Sequence, residues 1–281
     1  MTTAATIRKS DLQVYRFARK FLNQIEAPGL SKVVIESYLV APAAVRPKTL
    51  NGLYQKLLMS AQNANMKAKV IGASIGGVEN LKPVLMGFSP KRVITRYGPD
   101  AGRLLKDITK GLKPRGQIRK APRSIWPQYC RTVLSAANFL ARFKSASDFY
   151  AWVDFFDGDI RARPALPLII SKEIEGMGFA LACDFLKELG YANFGKPDVH
   201  IRDIFNAAGL CDSRTGDYEL LKTLCRVAQN AGVSPYTADK VFWLIGSGFF
   251  YHHRDQVGRD GRIPRPKKEF IRLLKGRMHR R

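Results

Sequence analysis

The stretch "EIEGMGFALA" (Glu173–Ala182) decides how the chain is read. Two glycines flank a methionine, and apolar residues lie on both sides. Apolar residues recur at helical spacing in "PALPLIISKEIE" before it and "FALACDFLKELG" after it, which predicts two helices joined at residues 174–178. Gly176 and Gly178 permit backbone geometries closed to other residues and let another molecule approach closely. The first amides beyond Gly178 have no partner inside their helix and lie at the positive end of its dipole, where a phosphate satisfies both. A tight helix–helix turn that binds nothing uses the same residues. Both readings stand on these five positions alone.

Charge and length narrow the field. The 281 residues suffice for one large domain or two smaller ones. Lys and Arg number 47 against 23 Asp and Glu, a net charge of +24. Such an excess attracts polyanions, nucleic acid first and an acidic membrane surface second. A hydrophobic fraction of 46% excludes a disordered basic arm. "MTTAATIRKSD" holds no apolar run of signal-peptide length, and Lys172, Glu173 and Glu175 interrupt the most apolar stretch, so no membrane partner is expected. The expected location is cytoplasmic, with nucleoid association through DNA. Cys130, Cys183, Cys211 and Cys225 form no CxxC pair, so reduced thiols are expected, with no metal, cluster or other cofactor. "GASIGG" (Gly72–Gly77) lacks the Lys-Ser/Thr of a phosphate loop and reads as a turn. His252 and His253 have no acidic or cysteine neighbours at ligand spacing.

Helical periodicity runs through most of the chain. Ser10 is expected to cap a helix in "SDLQVYRFARKFLNQIE", "KTLNGLYQKLLMSAQ" and "SPKRVITRYG" read as helices, and "KAKVIGAS" (residues 67–74) is the best strand candidate. "KGLKPRGQIRKAPRS" (Lys110–Ser124) reads as a basic linker or exposed arm. Strong helical patterns follow it up to "SPYTADKVFWLIGSG". The expected organisation is a basic helical region of unplaced role over 1–122, a helical core over 123–258 and a basic tail over 259–281. No obligate protein partner is evident.

After the second helix and a short loop comes "KPDVHIRDIF", with Pro197 just ahead of a helix and Asp198 at its N-cap position. Asp198 either caps that helix and no more, or faces the sugar of a nucleotide whose phosphate the hairpin holds.

Together these residues resemble the helix-hairpin-helix DNA glycosylase superfamily. Its hairpin reads roughly L-P-G-(apolar)-G-x-x-(T/V)-A, and here Ile174 to Ala182 occupies it. Its catalytic segment reads roughly V-D-x-H-(apolar), and here that is Pro197-Asp198-Val199-His200-Ile201. "ADKVFWLIG" (Ala238–Gly246) is similar to the closing core helix of the family, and the likeness spans about residues 124 to 250. The fold implied is mainly α, a helix-hairpin-helix glycosylase core with an additional basic helical N-terminal region.

The resemblance implies Asp198 as the catalytic carboxylate beneath C1′, with its charged form favoured by the helix N-terminus. It implies Gly176, Met177, Gly178, Phe179 and Ala180 as the hairpin that grips DNA phosphate, and His200 and Lys196 as supporting residues. Trp126 and Tyr129 are the preferred walls for a flipped base, out of a set that includes Phe139, Trp152, Phe155 and Trp243. Glu175 stands where the family has proline. Ala180 stands where bifunctional members carry the Schiff-base lysine, so a monofunctional enzyme without an iron–sulfur cluster is implied. The partner is double-stranded DNA approached from the minor groove, with base excision serving repair or defence against modified phage DNA. The contrasting class is a non-catalytic DNA- or RNA-binding protein that keeps the hairpin.

Overall fold

The computed structural model describes residues 4–41, 46–62 and 70–278. Among them the chain forms fourteen α-helices and no strand. In order these are α1 (Ala4–Asn23), α2 (Lys32–Leu39), α3 (Leu50–Ala61), α4 (Val70–Ile75), α5 (Pro90–Tyr97), α6 (Ala101–Leu112) and α7 (Ile125–Ala141). Then come α8 (Ala146–Gly158), α9 (Ala165–Glu173), α10 (Phe179–Glu188), α11 (Val199–Ala207), α12 (Asp217–Ala231), α13 (Pro235–Ser247) and α14 (Pro266–Met278). A single 3-10 turn covers Val78–Leu81.

The chain divides into two compact units. Unit 1 is made of residues 1–44 and 190–281, and unit 2 of residues 45–189. This division differs from boundaries after 122 and 258, and the reason lies in long-range partners. Asp11 of α1 is fully buried, and Arg226 of α12 donates to it from Nε (2.8 Å) and Nη2 (3.1 Å). Asn230 Nδ2 donates to the same carboxylate at 2.7 Å. The last helix is no loose tail either. Phe270 and Leu274, four residues apart on α14, are buried, and Phe270 lies against Phe17 and Phe21 at ring-centroid distances of 5.3 and 5.2 Å.

Unit 1 is organised around α13, whose Val241, Phe242, Leu244 and Ile245 are fully buried beneath α1, α2, α11, α12 and α14. Unit 2 is organised around α7, against which α3, α5, α6 and α9 pack. Two tyrosines lock α3 to α7 reciprocally: Tyr54 Oη donates to the Val133 carbonyl (2.7 Å) and Tyr129 Oη to the Leu58 carbonyl (3.2 Å).

Three local expectations change. Helix α1 begins at Ala4, ahead of Ser10, because "AATIRK" is itself helix-forming. Val70–Ser74 is helical, since Ile71 and Ile75 bury one helical face and Gln62 Oε1 accepts from the Gly72 N–H at 3.1 Å. Residues 67–69 of that strand candidate lie outside the described residues. The Lys110–Ser124 stretch begins inside α6 and becomes irregular and mostly exposed after Leu112.

Loss of the Asp11 carboxylate strips Arg226 and Asn230 of their shared acceptor. Asp11→Ala should destabilise the protein by about 1–3 kcal/mol, the cost of leaving polar partners unsatisfied. Denaturant unfolding of the variant against the parent measures it.

Candidate functional site

The hairpin belongs to unit 2. Ile174, Met177 and Phe179 are buried and anchor it, while Glu175, Gly176 and Gly178 face outward. Gly176 has φ +78°, and a Cβ there would lie 2.6 Å from Thr132 Oγ1. Glycine is required at this position by the turn and by the approach to α7. Gly178 differs. Its φ of −69° suits any residue, and a Cβ there would meet nothing within 4 Å. Its side stays open to an approaching molecule. The Gly178 and Ala180 N–H groups have no acceptor among the described residues, since the first backbone bonds of α10 run from Leu181 and Ala182 to the Gly178 carbonyl. Glu175 ties the hairpin to α7. Its N–H donates to Ser135 Oγ (3.0 Å) and its carboxylate pairs with Arg131.

Asp198 belongs to unit 1. The segment leading to it lies on α12 and α13 through Gly195, where a Cβ would fall 2.4 Å from Leu224 Cδ2 and 3.0 Å from Asp239 Cβ. Tyr191 and Phe194 bury their rings, and the Tyr236 N–H donates to the Ala192 carbonyl at 2.9 Å. Asp198 then caps α11: its Oδ1 accepts from the His200 N–H (2.9 Å) and the Ile201 N–H (3.3 Å). These bonds favour the carboxylate form, as the sequence suggests. Burial opposes them, and the nearby Asp239 charge adds to burial, so the carboxyl is held above the usual aspartate range. The helix N-terminus favours ionisation as expected, but burial and Asp239 outweigh it in setting the direction of the shift. A partly buried carboxylate of raised basicity is suited to accept a proton from water.

Asp239, whose charge acts on Asp198, and its neighbour Lys240 are groups of unit 1 that sequence reasoning missed. Asp239 and Lys240 are both buried on α13. Lys240 Nζ donates to Tyr251 Oη at 2.7 Å and sits over the rings of Tyr251, Tyr236 and Trp243 at 5.0, 5.5 and 5.6 Å. The available signal was a charged pair, Asp239-Lys240, inside an otherwise apolar helical run. His200 is a packing residue. Gly246 admits its Cβ at a distance only glycine allows, its ring meets Trp243 edge-on at 6.5 Å, and burial lowers its pKa. Lys196 is half-buried two residues before Asp198, whose N–H donates to the Lys196 carbonyl at 2.8 Å.

The aromatic candidates separate. Tyr129 is 2% exposed in unit 2, and burial pushes its hydroxyl pKa up. Trp126, 7% exposed, lines a cavity of unit 2. Phe139 and Trp152 meet at 5.8 Å within an aromatic cluster that includes Phe143 and Phe149, and Phe155 is 74% exposed. Trp243 stands beside His200 in the unit that holds Asp198. Ala180 is partly buried, and Lys187, further along α10, is buried against Asp184 at 3.1 Å.

The fold of the described residues is helical throughout. It is similar to the solved structure of the Methanocaldococcus jannaschii 8-oxoguanine glycosylase/lyase in complex with 15mer DNA containing 8-oxoguanine. The TM-score is 0.51 at 16% identity, with 83% of this chain and 96% of that chain covered. The likeness is one of fold. No protein-family profile matches the sequence, and no curated protein matches it. No helix of the described residues is long and apolar enough to cross a membrane.

The raised pKa of Asp198 has a stability consequence. Between the ordinary aspartate pKa and the raised one, the folded protein binds the proton more tightly than the unfolded chain. Stability therefore falls as pH rises through that window and stays lower above it. Asp198→Asn keeps the capping oxygen without the charge. The variant should melt above the parent at neutral pH, and the gap should close as pH drops below the ordinary aspartate range. Thermal unfolding followed across pH tests this.

Proposed function

We propose that the protein is a monofunctional DNA glycosylase that removes a damaged or modified base and leaves an abasic site. The observation that carries the reading is the partly buried Asp198 carboxylate at the N-terminus of α11, which follows in the chain a glycine hairpin with unspent amides. The hairpin and the basic surface hold backbone phosphates of duplex DNA, which supplies affinity with little sequence choice. The target nucleotide leaves the stack from a duplex kinked on its minor-groove side. The bond from C1′ to the base nitrogen breaks with its electron pair leaving on the base. The ionised Asp198 offsets the positive charge that develops on the sugar. A water oxygen then bonds to C1′, and its proton passes through Asp198 to the departing base. His200 holds the turn of helix that carries Asp198, and Lys196 lies beside it as a phosphate contact.

The solved neighbour carries both glycosylase and lyase in its name, whereas here the hairpin position of the lysine is Ala180. Strand cleavage needs an amine that attacks C1′. A duplex with 8-oxoguanine is the first substrate to assay, with alkylated, deaminated and phage-type modified bases beside it. Base excision on any of them excludes the hairpin-bearing protein that only binds.

Asp198→Asn should lower base release at least about a hundredfold, the scale of one lost electrostatic stabiliser. Duplex binding should be unchanged, and near-normal release by the variant refutes the assignment. Base release should also fall on acidification at a pH above the ordinary aspartate range, as Asp198 protonates. Borohydride added during turnover should trap no protein–DNA adduct. A trapped band mapping to Lys196 or Lys240 overturns the monofunctional reading.

A further inference from the structure

Unit 2 contains a cavity of about 510 Å³ that the glycosylase chemistry does not use. Its walls come from the start of α4, the 115–124 segment and the first turn of α7. Arg115, Arg119 and Arg123 line it, together with Val70, Ile125 and the indole of Trp126. The Arg115 N–H donates to the Ser74 carbonyl at 2.7 Å, which fastens the irregular segment over α4.

The charge of this cavity is one-sided. No acidic residue lines it, and the guanidinium groups of Arg115, Arg119 and Arg123 make no ion pair or hydrogen bond among the described residues. Several other arginines of unit 2 are engaged, Arg96 with Asp107, Arg131 with Glu175, Arg142 with Glu173 and Arg163 with Asp157. The larger cavity, about 1020 Å³ in unit 1, mixes Arg259 and Arg262 with Glu26, Asp260 and Glu269 and has no such bias. Three like charges converge on one concavity only at a cost in mutual repulsion, which an anion relieves. Planar guanidinium groups match phosphate oxygens in pairs. The apolar wall beside them is of the kind on which a base lays its face.

We propose that this cavity binds one phosphate-bearing nucleotide of an unpaired DNA strand, with its phosphate on Arg115, Arg119 and Arg123 and its base against Val70, Ile125 and Trp126. The cavity has the volume of a small-ligand site, which a nucleotide fits and a duplex does not. It is a site separate in role from Asp198, so its test is independent of base excision.

The test uses full-length Asp198→Asn protein and a single-stranded hexanucleotide bearing 5-iododeoxyuridine. Irradiation should join the iodinated base to a peptide containing Trp126. The triple variant Arg115→Gln, Arg119→Gln, Arg123→Gln should lose that crosslink. The slope of log affinity against log salt for the hexamer should shrink by about 0.7, as expected for one phosphate neutralised on a single strand. The three side chains are exposed, so the variant should keep the fold of the parent, and Arg119→Gln alone should weaken hexamer binding by less than the triple change. Deoxythymidine monophosphate at the hexamer's concentration should leave the crosslink intact. Its displacement of the hexamer would assign the same chemistry to a free nucleotide rather than a strand. Crosslinks confined to other peptides, or an unchanged slope in the triple variant, overturn the proposal.

Discussion

Unit 1 depends on how closely the segment before α11 lies against α12 and α13. Gly195 sets that distance, since a methyl group there would overlap Leu224 and press on Asp239 and the Pro235 carbonyl. The close approach delivers Asp198 to its cap and brings it under the influence of Asp239. Two amides favour the charge, while burial and a like charge oppose it, and the opposition prevails. Gly246 does the same for the other side of α11 by admitting His200. Two glycines outside the hairpin therefore govern the electrostatics of the carboxylate, one by the loop it permits and the other by the helix contact.

Much of this was legible from local pattern. The two hairpin helices, the cap at Asp198 and the helices from α7 to α13 follow from apolar spacing and capping residues, which act over one or two turns of chain. The mainly α fold stands. What was not legible depends on partners distant in sequence. Nothing near Asp11 announces Arg226, so residues 1–44 read as part of an N-terminal region when they build unit 1 with 190–281. "KAKVIGAS" reads as a strand because Val and Ile favour one, but tertiary burial of Ile71 and Ile75 prevails over that preference from Val70 onward. Gly195 gives no sign in sequence, because its role is set by atoms more than twenty-five positions away. Asp239 and Lys240 lie in an apolar helical run whose pattern gives no sign that both are buried.

The two hairpin glycines show how geometry separates folding from recognition. Gly176 is explained by its positive φ and by Thr132. Gly178 is explained by neither, and its open side is what a ligand backbone requires. The Glu175 contacts with Ser135 and Arg131 give the turn a fastening that proline gives by its ring. They place a carboxylate near the grip but engage it with a cation of α7.

The discontinuity of unit 1 bears on how the molecule is made. Unit 2 is a continuous run, so all the chain it needs is synthesised before α11. Helix α1 precedes unit 2 in the chain, yet the partners of its buried Asp11 lie 215 and 219 residues further on. Its apolar face stays uncovered through most of translation. Closure of unit 1 is therefore a late event of high contact order, in which the two ends of the described chain meet with unit 2 already complete between them. Asp198 reaches its partly buried setting in that last step, and a nascent chain that stalls short of α12 carries the hairpin without it.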